Sequence, residues 1–138
     1  MLCVLSPEMI FGVSAGCAIA NVLGVMMGMN QIGMIDALIG TMATLLAGLA
    51  SYALRKARVK NIPWLSALMP VLFNSVIIGA ELGWIIGGKD AFWSMFGIFA
   101  LEVGIGEAIA VFALGIPLAM YMEKTRIIQR ISNIHPEE

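Results

Sequence analysis

Long stretches without any charged residue place the strongest limit on how this chain folds. Residues 9–35, 37–54, 61–80 and 108–122 contain no Asp, Glu, Lys or Arg. An α-helix needs about 20 apolar residues to cross the hydrocarbon core of a bilayer. Only 12% of the 138 residues are charged, whereas a soluble domain has about 25%. The sequence therefore predicts an integral membrane protein and excludes a soluble globular domain.

Four hydrophobic segments follow from this pattern and predict an all-α fold, a polytopic membrane helix bundle. They lie at about 8–28, 33–54, 63–87 and 91–122, and a polar tail follows at 124–138. We expect one transmembrane domain over residues 1–138, because each apolar segment is buried only in lipid or against its neighbours.

The fourth segment is too long for one upright crossing and too short for two. About 32 residues with a rise of 1.5 Å each make a helix of roughly 48 Å. Tilt, a kink at Gly104 and Gly106 or at Pro117, or an interfacial start near Phe92 and Trp93 would absorb the excess. We therefore expect a long last helix that is tilted or kinked.

Basic residues cluster after the second segment and again after the fourth. The clusters are Arg55, Lys56, Arg58 and Lys60, and Lys124, Arg126 and Arg130. Because basic loops stay in the cytoplasm, both clusters are expected on the same side, with an even number of crossings between them. The fourth segment is then one pass. The chain is predicted to be a multi-pass protein of the cell membrane with both termini in the cytoplasm.

Motifs for enzymatic or cofactor chemistry are missing from the sequence. There is no phosphate-binding GxxxxGK[ST] pattern, and the single histidine, His135, lies in the polar tail. Cys3 and Cys17 are too few for a disulfide framework or a metal cluster. A net charge of −1 gives no reason to expect a nucleic-acid partner. We expect no enzyme activity and no cofactor, so active transport would need an ATPase from elsewhere.

Small residues recur at every fourth position of the first segment. They are Gly12, Gly16, Ala20, Gly24 and Gly28. Such a stripe lets another helix backbone approach closely. We interpret it as a surface for helix packing within the chain, with docking of a separate subunit as the alternative. Gly40, Thr44 and Gly48 repeat the pattern more weakly on the second segment.

Polar residues inside the predicted membrane segments are the candidates for a binding site. They are Asn21, Asp36, Asn74, Glu81, Glu102 and Glu107. An ionisable group at such a depth costs at least ~2.5 kcal/mol and usually marks a substrate or ion path. No Lys or Arg within these segments can pair with the three glutamates, which favours a functional role for them. Asp36 is interpreted instead as a helix cap.

Spacing along the helices relates these candidates to one another. Asn74 and Glu81 are seven residues apart, so they share a helix face, and Trp84 lies one turn beyond Glu81. Asn74 also follows Pro70 by one turn. Its alternative role is to form a hydrogen bond with a backbone group that the proline leaves unbonded. Asn21 has a similar structural interpretation. Glu102 and Glu107 are five apart, about 140° around a helix, so both face inward only if the intervening glycines distort the helix.

Six stretches of this sequence resemble a known family, the QueT-like substrate-binding subunits of energy-coupling factor (ECF) transporters. The matching stretches are Gly-Cys-Ala-Ile-Ala-Asn at 16–21, Asp36 with Leu-Ile-Gly-Thr-Met-Ala-Thr-Leu-Leu-Ala at 38–47, Pro-Val-Leu-Phe-Asn at 70–74, Ile-Ile-Gly-Ala-Glu-Leu at 77–82, Gly-Ile-Gly-Glu-Ala-Ile at 104–109 and Leu-Gly-Ile-Pro-Leu at 114–118. The family pattern has six helices, and this chain is expected to hold four of them, beginning after the first.

The resemblance implies uptake of a small heterocycle, a 7-deazaguanine queuosine precursor, with an ECF transmembrane coupling subunit and ATPase subunits as partners. A carboxylate accepts the adjacent N–H donors of a guanine-like edge, and a second one binds an aminomethyl cation. We expect Glu81 in contact with the ligand first, and Glu107 or Glu102 second. Trp84 would stack on the ring, and Asn74 would read its carbonyl or ring nitrogen.

Two other functions remain compatible with the residues alone. In a proton-coupled carrier or channel subunit, the membrane glutamates would relay protons, and the small-residue stripes would form a homo-oligomer. In a purely structural membrane subunit, all three glutamates would be replaceable without loss of activity.

Asn21 completes the set of candidate substrate-binding residues.

Overall fold

The described part of the chain consists of α-helices joined by short turns. The computed structural model describes residues 3, 5–29, 32–58 and 62–125, which contain no β-strand. The elements are α1 (Glu8–Met26), α2 (Met34–Ala53), α3 (Trp64–Ile109), a π-helical turn (Ala110–Gly115) and α4 (Ile116–Thr125). Three continuous helical stretches, 8–26, 34–53 and 64–125, are long and apolar enough to cross a membrane. The predicted all-α membrane bundle is confirmed.

Helix α3 folds back on itself at Gly88, which divides it into a first arm (64–87) and a second arm (89–109). Gly88 has φ 58° and ψ −158°, a backbone conformation that glycine adopts readily. A Cβ on Gly79 would lie 2.8 Å from the Cβ of Ala100, so the two arms are in close contact. The third and fourth predicted segments are therefore the arms of one antiparallel hairpin, reversed at a single residue. This explains why three continuous stretches are found where four helices were predicted.

The long last helix is distorted near Pro117. Within α3 the only non-helical residue is Gly88, so Gly104 and Gly106 keep helical backbone angles. The wider π-helical turn Ala110–Gly115 comes directly before α4. Proline has no N–H, and its ring clashes with the carbonyl four residues earlier, so a wider turn accommodates it. Of the predicted kink positions, the one at Pro117 is where the helix deviates.

Helix α2 lies between α1 and α3 and packs against both. Towards α1, a Cβ on Gly48 would lie 3.2 Å from Cγ2 of Ile10. Towards α3, the fully buried Ser51 hydroxyl donates a hydrogen bond to the carbonyl oxygen of Ser66 at 2.9 Å. The weaker small-residue stripe of the second segment thus lies at a helix contact, as predicted.

The more regular stripe on α1 does not pack against another described helix. A Cβ on Gly12 or Gly16 would meet no atom within 4 Å. The buried residues of α1 are Ile10 and Ser14, on a different side of the helix. The interpretation of this stripe as an internal packing surface is therefore wrong for Gly12 and Gly16 within the described chain.

An ion pair joins the turn after α2 to the last helix. Arg58 donates two hydrogen bonds to the Glu123 carboxylate, at 2.6 and 3.1 Å. The described parts of the two basic clusters therefore lie at one end of the bundle, as an even number of crossings requires. Lys60, Arg126, Arg130 and most of the predicted tail, including His135, lie outside the described residues. The side of the membrane on which this end lies stays a prediction.

Candidate functional site

Asn74 and Glu107 meet inside the bundle, across the α3 hairpin. Asn74 is on the first arm and Glu107 on the second, and the Asn74 Nδ2 donates a hydrogen bond to Glu107 Oε1 at 2.5 Å. A carboxylate acceptor makes such a bond stronger than one between neutral groups. The amide nitrogen of Asn74 is therefore committed to Glu107, and the two side chains form a polar pair between the two arms of the hairpin.

A cavity of about 160 Å³ adjoins this pair, between α1, α2 and both arms of α3. Its lining is Cys3, Val13, Thr44, Ala47, Gly48, Ser51, Pro70, Asn74, Glu107 and Val111. Pockets for drug-sized ligands measure roughly 300–1,000 Å³, so this cavity matches a smaller, compact molecule. Its polar side-chain groups are one carboxylate, one amide, two hydroxyl groups and one thiol, which offer both donors and acceptors.

Cys3 and Thr44 contribute to the cavity although the sequence did not single them out for it. Cys3 lies before α1, and burial raises the pKa of its thiol, which keeps it neutral. The Thr44 hydroxyl donates to the Gly40 carbonyl oxygen at 2.9 Å. Thr44 belongs to the weaker small-residue stripe, and that stripe was the available signal for its location at a helix contact. Nothing comparable in the sequence points to Cys3.

Glu81 occupies a second polar position on the first arm of α3, outside the lining of the cavity. It is 8% exposed. Neither of its carboxylate oxygens has a hydrogen-bond partner among the described residues. Asp36 of α2 is the charged group that acts on it electrostatically. Seven residues separate Glu81 from Asn74, roughly 10 Å along the helix axis. A buried carboxylate in this state lacks the donor or cation that would offset its desolvation.

Trp84 and Glu102 lie on the outside of the described bundle. Trp84 is 57% exposed, and its ring makes an edge contact with Phe92 at a centroid distance of 6.1 Å. Glu102 is exposed as well. Because the helix stays regular between Glu102 and Glu107, only the second of these two carboxylates faces the cavity. The five-residue spacing predicts this separation when no distortion intervenes.

Asn21 takes part in a polar contact between α1 and α2. Its Nδ2 donates to the Cys17 sulfur at 3.4 Å, and the Thr44 hydroxyl oxygen lies 3.2 Å from the same sulfur. A Cβ on Gly40 would lie 3.0 Å from Asn21 Nδ2. Asn21 therefore has structural partners in the described chain, and it is not part of the cavity lining.

These features define a class: a helical membrane protein with an internal polar site of a size that fits a small molecule. The family model of the QueT transporter matches residues 1–124, and the chain therefore belongs to the QueT transporter family. No curated protein and no solved structure matches the chain. Membership places it among membrane transporters for a small substrate, in agreement with the resemblance seen in the sequence.

Proposed function

We propose that this chain is the substrate-binding subunit of an importer and that Asn74 and Glu107 recognise a 7-deazaguanine queuosine precursor. The observation that carries the proposal is their hydrogen bond beside a cavity of about 160 Å³. A carboxylate accepts two adjacent N–H groups, and a carboxamide offers one donor and one acceptor group. A guanine-like edge presents the complementary set, so the ligand would exchange the Asn74–Glu107 bond for its own.

Glu81 is the second proposed contact, for a positively charged substituent of the ligand. A buried carboxylate without a hydrogen-bond partner binds a cationic group favourably, and the nearby Asp36 adds negative potential. Trp84, Glu102 and Asn21 stay outside the proposed contact set. The first two are exposed, and the third contacts Cys17 between α1 and α2.

Energy for uptake would come from partner proteins. The sequence has no phosphate-binding GxxxxGK[ST] motif. The resemblance to ECF substrate-binding subunits implies a transmembrane coupling subunit and ATPase subunits as partners. In this proposal the end that carries Arg58 and Glu123 faces the cytoplasm, where ATP is available, and the Gly88 hairpin faces outward. The bilayer surrounds the apolar surface of all the helices.

A binding assay with matched glutamate variants tests the proposal. Detergent-purified protein is titrated with 7-deazaguanine bases, vitamins and metal ions. Glu107→Gln should weaken binding of the deazaguanine about 10- to 100-fold, because a hydrogen bond to a charged group contributes about 1.5–3 kcal/mol. Glu102→Gln is the matched control and should bind like the parent, since Glu102 is exposed on the same arm. Equal affinities of the parent and Glu107→Gln would refute the assignment.

A proton-coupled carrier is the second candidate, and the buried, unpartnered carboxylate of Glu81 favours it. Uptake measurements in cells separate the two functions. Removal of the partner ATPase should stop uptake by a binding subunit, whereas collapse of the proton gradient at constant ATP should leave it intact. The opposite pattern would favour the carrier.

A further inference from the structure

Positive charge is concentrated at one end of the bundle. Its described residues include Arg55, Lys56, Arg58 and Lys124. The carboxylates at this end are Glu123 and Glu8, which begins α1 beside the end of α2. The Arg58–Glu123 contact holds the turn after α2 and the last turn of α4 together. At the opposite end, beside the Gly88 reversal, the charges of Lys89 and Asp90 cancel. The two ends of the bundle therefore differ strongly in charge.

Arg58 is already neutralised within the protein. Its guanidinium donates to both carboxylate oxygens of Glu123, and this bond raises the pKa of Arg58 above its ordinary value. A paired cation contributes little to binding another anion. The cations left for an external ligand are Arg55, Lys56 and Lys124.

Arg55 is held in place by Tyr52. Its guanidinium carbon lies 3.7 Å from the centre of the Tyr52 ring, and its Nη1 donates to the Tyr52 carbonyl oxygen at 2.9 Å. A guanidinium has five N–H donors in a planar arrangement, so most of them stay available. Because the side chain is already ordered, an anion that binds to it loses less conformational entropy. Lys56, the next residue, is exposed.

Exposed aromatic residues place these cations at the depth of lipid headgroups. Trp64 begins α3 and Tyr121 lies in α4, and they are 45% and 61% exposed. Both belong to the end of the bundle that carries the basic residues. Trp and Tyr are enriched where the hydrocarbon region meets the headgroups. We therefore expect the phosphate groups of the bilayer to lie at the level of Arg55 and Lys56.

We propose that Arg55 and Lys56, supported by Lys124, bind the phosphate of an anionic phospholipid. The ordered guanidinium supplies directed hydrogen bonds, and the two lysines supply mobile charge. A polybasic segment at a membrane surface gains about fivefold in affinity for anionic lipid with each cation. The site is distinct from the internal cavity and does not depend on the proposed substrate.

Lipid retention by the purified protein tests this site. The protein in detergent is incubated with phosphatidylglycerol or phosphatidylcholine, and the retained lipid is counted by native mass spectrometry. The parent should retain phosphatidylglycerol preferentially, and Arg55→Gln combined with Lys56→Gln should lower that preference about 25-fold, fivefold for each cation. Lys89→Gln removes one cation at the opposite end and should retain the parental preference. Glu123→Gln releases Arg58 and should increase retention of phosphatidylglycerol.

Three results would overturn the proposal. They are an unchanged preference in the double variant, an equal loss in Lys89→Gln, or displacement of the lipid by inorganic phosphate but not by chloride at matched ionic strength. The last result would assign the site to free phosphate. If the double variant does not fold, Lys56→Gln alone carries the test, with an expected fivefold loss.

Discussion

At the scale of single residues, the bundle contains a buried carboxylate, Glu81, and a partly buried one, Glu107, in opposite situations. Glu107 accepts a hydrogen bond from Asn74, whereas Glu81 has no hydrogen-bond partner among the described residues. Leaving a polar group buried and unsatisfied costs about 1–3 kcal/mol, more for a charge, whereas a made hydrogen bond is mildly stabilising. We therefore expect Glu81 to lower the stability of the unliganded protein, a cost typical of a residue kept for binding.

Replacing each glutamate by methionine should change stability in opposite directions. Glu81→Met removes an unsatisfied group at similar volume, so we expect the free energy of unfolding to rise by about 1–3 kcal/mol. Glu107→Met leaves the Asn74 amide without its acceptor and should lower the free energy of unfolding by a similar amount. Thermal unfolding of both variants in the same detergent measures the difference. A fall in Tm for Glu81→Met would contradict the assigned environment of Glu81.

Hydropathy was sufficient to find the candidate residues but not their partners. Any polar residue in an apolar stretch is visible in the sequence, so Asn74, Glu81 and Glu107 were all identified. Their pairing depends on the register of two helix arms, and the position of the chain reversal sets that register. The exposure of Trp84 is a second property that hydropathy and spacing do not reveal. A position one turn from Glu81 lies near the edge of the buried face, so spacing alone does not decide its exposure.

At the scale of elements, close packing of the α3 hairpin rests on small residues at its contact. Gly79 and Gly83 of the first arm would each bring a Cβ to within 3 Å of the second arm, at Ala100 and Phe96. Membrane helices have little hydrophobic driving force for association, so close backbone approach supplies much of their attraction. The sequence drew attention to the glycines of α1 because of their regular spacing. Regular spacing does not reveal whether another helix packs on the glycines. The second arm packs on Gly79 and Gly83, whereas no described helix packs on Gly12 and Gly16.

Adding one methyl group at the contact, and another away from it as a control, tests this packing. Gly79→Ala should destabilise the protein by about 1–3 kcal/mol, because the new methyl group would overlap Ala100. Gly97→Ala is the matched control on the second arm, since a Cβ there meets no atom within 4 Å. This control should be neutral or slightly stabilising, because alanine favours a helix by about 1 kcal/mol relative to glycine. Equal Tm values for the two variants would mean that the arms are not in close contact.

At the scale of the whole molecule, charge and fold agree on which ends of the helices lie together. The ion pair from Arg58 to Glu123 joins the turn after α2 to α4, and the hairpin returns the chain between them. The positions of the basic residues predict this arrangement, because the rule that basic loops stay in the cytoplasm depends only on charge and on the number of crossings. It did not predict a reversal at one glycine, since a backbone with φ 58° is a local property that hydropathy does not reveal.

Labelling of introduced cysteines tests the orientation of the whole bundle. Lys56→Cys and Lys124→Cys should react with a membrane-impermeant maleimide only after the cells are opened, because both positions belong to the end predicted to be cytoplasmic. Lys89→Cys, beside Gly88, should react in intact cells. The parent, which contains Cys3 and Cys17, gives the background. Reaction of Lys56→Cys and Lys124→Cys from opposite sides would contradict an even number of crossings. Reaction of both in intact cells would instead show that the orientation is inverted and the fold unchanged. The Glu81 end of the hairpin would then lie at the cytoplasmic face, where it could not be the entry side for an imported base.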